Sequence, residues 1–206
     1  MQISTQGSGE LAPRHELDRL LPSAVIDASP AAASELSGLA EIARREIPGV
    51  NASAGLAHVL EVDPESIFAF RRAGRLLGGI AFLHLNDRGH DALLLNSIDL
   101  KYPGDEYLAG PDEDVAAIYV WALAGYGRAV MGLGSVAAHL RAPRFMGADY
   151  YAQPSSKDGR ELLIALGFRP IPSFQPDLWC YQRPWHRPAI WQASNTANGG
   201  AADARH

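Results

Sequence analysis

Two stretches of this chain hold the residue types whose spacing suits chemistry. The first carries four glycines, Gly125, Gly127, Gly132 and Gly134, with Arg128 among them, between an apolar run and a helical stripe. A helix N-terminus exposes unpaired amides and the positive end of the macrodipole. Glycines let a backbone come close to oxygens, and an arginine adds a charge-assisted bond, so this stretch suits a pyrophosphate. The same glycines also suit an ordinary tight strand-to-helix turn. The second stretch runs from Tyr150 to Phe168. It opens with Tyr150 and Tyr151 on a strand whose alternation sends one to each face, and it closes on Leu166, Gly167 and Phe168. Tyr126, on the glycine stretch, is a third phenol. Asp99, Asp112, Glu113 and Asp114 flank the apolar run as carboxylate bases, and His84 is an imidazole candidate. Packing and solvated-surface roles compete with a catalytic one for each of these. Cys180 stands between Trp179 and Tyr181 and reads as a buried packing residue rather than a nucleophile. The seven histidines are scattered and none is paired with acids at ligand spacing, so no metal site is expected.

These residues need elements to position them. Ala24–Ala28 reads as a short strand, and Ser29 with Pro30 as the cap and first turn of a helix striped by Leu36, Leu39, Ala43 and Ile47. Pro48 and Gly49 stop it, and Leu56–Leu60 suggests a second, short helix. Ser66–Arg72, a turn at Ala73 and Gly74, and Arg75–Leu85 form a hairpin, with Gly78 and Gly79 marking a bulge or a close backbone approach. Asn86–Asp91 reads as a polar turn, Leu93–Leu100 as a strand, and Tyr102–Asp114 as an acidic surface loop. Val115–Leu123 is the most continuous apolar strand and therefore central. The helix after it carries Ala129, Val130, Leu133, Val136, Ala137 and Leu140 and ends at Pro143. A strand at Ala148–Gln153, a helix at Lys157–Leu166 capped by Ser156, and a proline-broken hairpin over Arg169–Arg183 complete the order. It predicts an α/β (α+β) fold: a mixed sheet with helices on both faces.

Composition sets the bounds. The 206 residues suit one domain with enough apolar content, 47%, to bury a core. Residues 1–20 and 185–206 read as flexible ends around a domain at 21–184. A net charge of −5 gives no reason to expect nucleic acid, although Arg71, Arg72 and Arg75, and Arg141 and Arg144, form local basic groups. The lone cysteine excludes an internal disulfide. No run suits a membrane span, and without an export pattern the expected location is cytoplasmic.

The element order and the two stretches resemble the GNAT acyltransferase superfamily over Val25 to Tyr181. Gly132, Gly134 and Ser135 match the end of that family's phosphate loop, with Arg128 one place early. Ser156 stands where the family often has Asn, and Leu166, Gly167 and Phe168 match its helix ending. The resemblance implies acetyl-CoA or another acyl-CoA as co-substrate, with no metal. It also implies direct transfer to an amine on a small molecule or a protein. The cofactor residues it implies are Leu123, Gly127, Arg128, Gly132, Gly134, Ser135 and Ser156. The family's usual tyrosine proton donor falls at Leu163, which leaves Tyr150, Tyr151 and Asp114 as substitutes. A non-catalytic binding or regulatory module on the same fold is the alternative. The acid-rich loop at 99–114 favours a cationic acceptor, and an exposed apolar patch would suit a homodimer contact.

Overall fold

The computed structural model describes residues 25–47 and 53–183. The expected flexible ends, the strand's start at Ala24 and the helix stop at Pro48 and Gly49 lie outside the described residues. The elements in order are β1 (Asp27–Pro30), α1 (Leu36–Glu46), α2 (Ser53–Val62), β2 (Ile67–Arg72), β3 (Arg75–Leu85), α3 (Asp87–Leu94), β4 (Ala117–Gly125), α4 (Leu133–His139), β5 (Asp149–Ala152), α5 (Lys157–Ala165), β6 (Arg169–Pro170) and β7 (Trp179–Tyr181). They build one mixed seven-stranded sheet in the order β1-β2-β3-β4-β5-β7-β6. Every pairing is antiparallel except β4 with β5.

Alternation divides the core between the two faces. Leu83, Leu85, Tyr119, Tyr151, Leu178 and Cys180 pack with Leu93 of α3 and Val59 of α2 on the first face. Leu39 and Ala40 of α1 cover the same side against Ala69 and Ala81. Phe68, Phe82 and Ile118 pack against Val136 of α4 and Phe145 on the second face. Helices therefore cover both faces, as the apolar alternation requires.

Local chemistry fixes the hairpin and corrects several boundaries. Ala73 and Gly74 both take positive φ, 50° and 76°, so β2 and β3 join through a two-residue turn. A Cβ on Gly78 would lie 2.3 Å from the Ala124 carbonyl oxygen, and one on Gly79 would lie 2.5 Å from that of Phe68. The two glycines thus let β3 sit close to both neighbours. Ser29 and Pro30 do not start a helix. They belong to the edge strand β1, where proline's missing N–H is tolerated. The α1 segment opens instead through a short 3-10 turn, where the Glu35 carboxylate accepts from the Ala32 N–H at 2.9 Å. Arg71 also grips Glu35, and this ion pair is the main reason the carboxyl lies below its usual range. A further correction is α3, expected as a turn and a strand. Asn86 caps it by accepting from the Gly89 N–H at 2.9 Å, and its amide donates to the carbonyls of Glu106 and Leu108. A Cβ on Gly89 would lie 2.1 Å from the Tyr107 oxygen, so glycine admits the loop against the helix. The central strand starts and ends two residues later than expected. The helix after it begins as a 3-10 turn, Ala129–Gly132, that leaves Val130 exposed.

A buried ion network ties the second face together. Asp63, at the start of the α2–β2 turn, accepts from His84 Nδ1 at 2.7 Å and from Arg144 Nη2 at 2.8 Å. Its other oxygen accepts from the Glu65 N–H at 2.9 Å. Arg144 also donates to Glu65 and to the Gly110 carbonyl. Burial alone would raise the Asp63 carboxyl, but His84, the Glu65 N–H and Arg144 reverse this and hold it at about 2. Burial lowers His84 below its ordinary value, against the pull of Asp63. His84 is thus a neutral core residue, and no catalytic role follows from it.

Candidate active site

The central pair of strands parts partway along its length. Ala117–Val120 of β4 pair with Asp149–Ala152 of β5. β4 then runs five residues further, to Gly125, hydrogen-bonded to β3 alone. β5 stops at Ala152, and Pro154, which has no N–H to offer, leads the chain away into α5. The result is a cleft that opens beyond Val120 and Ala152. One wall is the unpaired edge of residues 121–125, whose alternate N–H and C=O groups lack a strand partner. The other wall is residues 153–156.

A bulge marks the apex. Ala81 pairs with Ala122 and Phe82 with Val120, so Trp121 is an extra residue in β4. The insertion shifts the alternation. Val120 and Leu123 pack on the second face, while Trp121, Ala122 and Ala124 pack on the first. Trp121 lies against α2 so closely that a Cβ on Gly55 would sit 2.6 Å from the indole. The same Gly55 position is 3.1 Å from the Lys101 carbonyl, which places the start of the 99–114 loop beside the cleft on the first face, while its later part bridges Leu108 to Leu85 at the other end of β4.

Tyr119 and Gln153 border the cleft on that face too. The Tyr119 hydroxyl donates to Gln153 Oε1 at 3.0 Å, and Gln153 donates to Gln175 at 3.0 Å. Burial pushes the Tyr119 phenol above its usual range. On the second face, a cavity of about 410 Å³ lies between α4, the sheet and the Leu166–Phe168 turn. Sequence reasoning missed Trp121 as a bulge, the Tyr119–Gln153 pair and Arg183. A strand-pairing irregularity carries no local signal, and Arg183 lies far along the chain from the stretches that drew attention.

The expected site residues fall in different places. Leu123 lies on the unpaired edge, half-buried. Gly127, with φ 56°, and Arg128 are exposed at the turn that follows. Gly134 and Ser135 are exposed in the first turn of α4. Gly132 is buried instead, and a Cβ there would lie 2.7 Å from Phe70 Cδ1, so its small size serves packing. Ser156 caps α5, its hydroxyl accepting from the Gly159 N–H at 3.0 Å. Leu163, at the position of the resembled tyrosine, is buried.

The three expected catalytic residues do not converge. Tyr150 lies on the second face and Tyr151 on the first, as alternation predicts. The Tyr150 hydroxyl accepts from Arg183, whose guanidinium stacks 5.0 Å from the ring. Burial raises its phenol, with Arg183 opposing. The Tyr151 hydroxyl is 2.8 Å from His90 Nε2, and burial, then Cys180 and Asp149, push that phenol upward. Burial also pushes the Cys180 thiol up to about 12, in keeping with a packing role. Asp114 is exposed ahead of β4, at the far end from the bulge. Trp121 is seven positions further along the chain, at most roughly 23 Å away at about 3.3 Å per residue. Tyr126 is half-buried, and its hydroxyl accepts from Arg45 at 3.3 Å. Among the described residues no group of side chains could hold a metal ion.

No protein-family model and no curated protein matches the sequence. Solved structures do match. Naa50 of Arabidopsis thaliana, solved with the bisubstrate analogue CoA-Ac-MVNAL, superposes with a TM-score of 0.50 at 12% identity, over 77% of this chain and 99% of that one. The loading GNATL domain of CurA from Lyngbya majuscula superposes at 0.54 and 11% identity, over 76% and 97%. With the parted β4–β5 pair and the sheet order, these likenesses show that the chain has the GNAT acyltransferase fold, as a divergent example of it.

Proposed function

We propose that the chain is an acyl-CoA-dependent N-acyltransferase that moves an acyl group directly to an amine. The observation that carries this reading is the cleft between β4 and β5, with a bulge at its apex and a glycine turn at its mouth. An extended pantetheine arm adds to the free edge of residues 121–125 as a strand would, through backbone hydrogen bonds. The exposed turn at Gly127, Arg128 and Gly134 takes the pyrophosphate through amides and one guanidinium. Leu123 flanks the arm. The solved Naa50 complex with a CoA-containing bisubstrate analogue supports the reading by fold analogy.

In the transfer, the amine nitrogen attacks the thioester carbon. The C–N bond forms, the C–S bond breaks, the amine loses one proton and the departing sulfur gains one. In this reading a backbone amide at the apex polarises the carbonyl. Leu163 supplies no proton, and a positioned acid contributes ~10²–10⁴-fold to such steps. The reading therefore expects slow turnover. The acceptor enters on the first face, where Asp105 and Glu106 on the loop beside α2 favour a cationic amine. Asp112, Glu113 and Asp114, at the opposite end of β4, drop out of that rim.

Calorimetry with acetyl-CoA and desulfo-CoA tests the reading, and no binding of either at high concentration would sink it. Buried Leu163 favours a second reading, a module that binds acyl-CoA without turnover. Release of free thiol from acetyl-CoA in the presence of polyamine or lysine-peptide acceptors would rule that out.

A further inference from the structure

We infer that the acyl donor carries an apolar chain longer than acetyl, seated in the cavity beneath α4. This rests on the acyl-CoA reading above. The cavity, about 410 Å³, is floored by Ile80, Phe82 and Val120 and walled by Leu133, Leu166 and Phe168. Val120 is the last β4 residue with a β5 partner, so the floor reaches the cleft's apex. Leu133 opens α4 directly after the glycine turn, so the wall reaches the cofactor side. No residue of the unpaired edge 121–125 lines the cavity, and neither does any of 153–156. The cavity thus lies past the arm's track, where the acyl group leaves the sulfur.

Its size falls in the range of ligand-binding pockets, ~300–1,000 Å³, and an acetyl group would leave most of it unfilled. The cavity opens to solvent along exposed Ala137, Arg141 and Leu166, so an alkyl chain seated in it would cover apolar wall that otherwise faces water. Arg183 lies at the far end. Its Nη2 donates to the Leu140 carbonyl at 2.8 Å and to the Tyr150 hydroxyl. That guanidinium is engaged by protein groups, and apart from exposed Arg141 the rest of the lining is aliphatic or aromatic, which suits an alkyl chain.

The test is calorimetric titration with CoA and with acetyl-, butyryl-, hexanoyl- and octanoyl-CoA. Each methylene that enters the cavity should raise affinity about fourfold until the space is full, because a buried methylene contributes about 0.8 kcal/mol. Ala137 lies on the exposed side of α4 and lines the cavity. An Ala137→Phe variant should therefore fill the space, abolish the chain-length gain and leave CoA affinity unchanged. Ala137→Leu, a smaller filling, should shorten the preferred chain, and thermal unfolding checks that both variants fold. CoA binding with affinity flat from acetyl to octanoyl would overturn this inference alone. So would a chain-length gain that persists in a folded Ala137→Phe variant. Failure of every CoA compound to bind would overturn the acyl-CoA reading and this inference with it.

Discussion

Two glycines two residues apart in the same loop should respond oppositely to a methyl group. At Gly132 a Cβ would stand 2.7, 3.1 and 3.2 Å from three atoms of the Phe70 ring. Phe70 is 0% exposed, so the ring has nowhere to retreat. Gly132→Ala is thus an overpacking change and should cost about 1–3 kcal/mol. For a chain of this size, about 2–4 °C in Tm per kcal/mol, that is a fall of roughly 2–12 °C. At Gly134 a Cβ would meet nothing within 4 Å. Gly134→Ala should keep or raise stability, by up to about 1 kcal/mol, since alanine favours the helix and restricts the unfolded chain. If the Gly134 amide receives the pyrophosphate, a bulkier Gly134→Val should hold the ligand off and lose about 1.5–3 kcal/mol, roughly 10- to 150-fold in CoA affinity. Thermal unfolding and calorimetry on the same preparations separate the two effects. A stable Gly132→Ala protein would refute the packing argument. Unchanged CoA affinity in Gly134→Val would refute the placement of the phosphates.

Other outcomes follow from the same contacts. Asp63→Ala leaves His84 and Arg144 without their shared acceptor and should cost about 3–5 kcal/mol, roughly 6–20 °C in Tm, whereas a loss under 1 kcal/mol would show the network to be dispensable. In the native protein, stability should fall as pH drops below ~6.5, because the unfolded chain binds a proton at His84 that the folded one resists. A second decline should follow below ~4 and end near 2, where the depressed Asp63 carboxyl finally takes its proton. Chemical denaturation across pH 2–8 measures both, and a flat profile from pH 8 to 5 would contradict the neutral His84. Ser156→Ala should cost about 1 kcal/mol as the Gly159 N–H loses its cap, with CoA affinity unchanged; a large affinity loss at constant stability would place Ser156 on the ligand instead. Neutralising Asp105 and Glu106 together should raise the KM of a cationic acceptor, and unchanged kinetics would remove the acidic rim from the account.

Local chemistry made much of the fold legible. The β2–β3 turn rests on Ala73 and Gly74, α1 on an apolar stripe, and α5 on the Ser156 cap, and each of these signals lies within a few residues of the element it sets. The helix α3 was not legible because its determinants are tertiary. Asn86 holds the 106–108 backbone, and Gly89 touches Tyr107, while the run from Leu93 to Leu95 looks like a strand although Leu95 is 77% exposed. The site divides the same way. The glycine turn and the two faces of Tyr150 and Tyr151 could be read from spacing. The parting of β4 from β5 is implied only by the family resemblance, and the Trp121 bulge by no local signal, because strand pairing is decided between segments that are distant in sequence. Asp114 illustrates the limit of proximity in sequence: it borders the central strand, yet at the wrong end of it.

The central claim is that the cleft beyond Val120 and Ala152 holds the arm of an acyl-CoA. A crystal structure of the protein soaked with CoA tests it most directly. The account predicts pantetheine hydrogen-bonded to the backbone of residues 121–125, pyrophosphate at the Gly127–Gly134 turn, and sulfur at the Trp121 bulge. CoA bound elsewhere on the molecule, with the β4 edge unliganded, would contradict it.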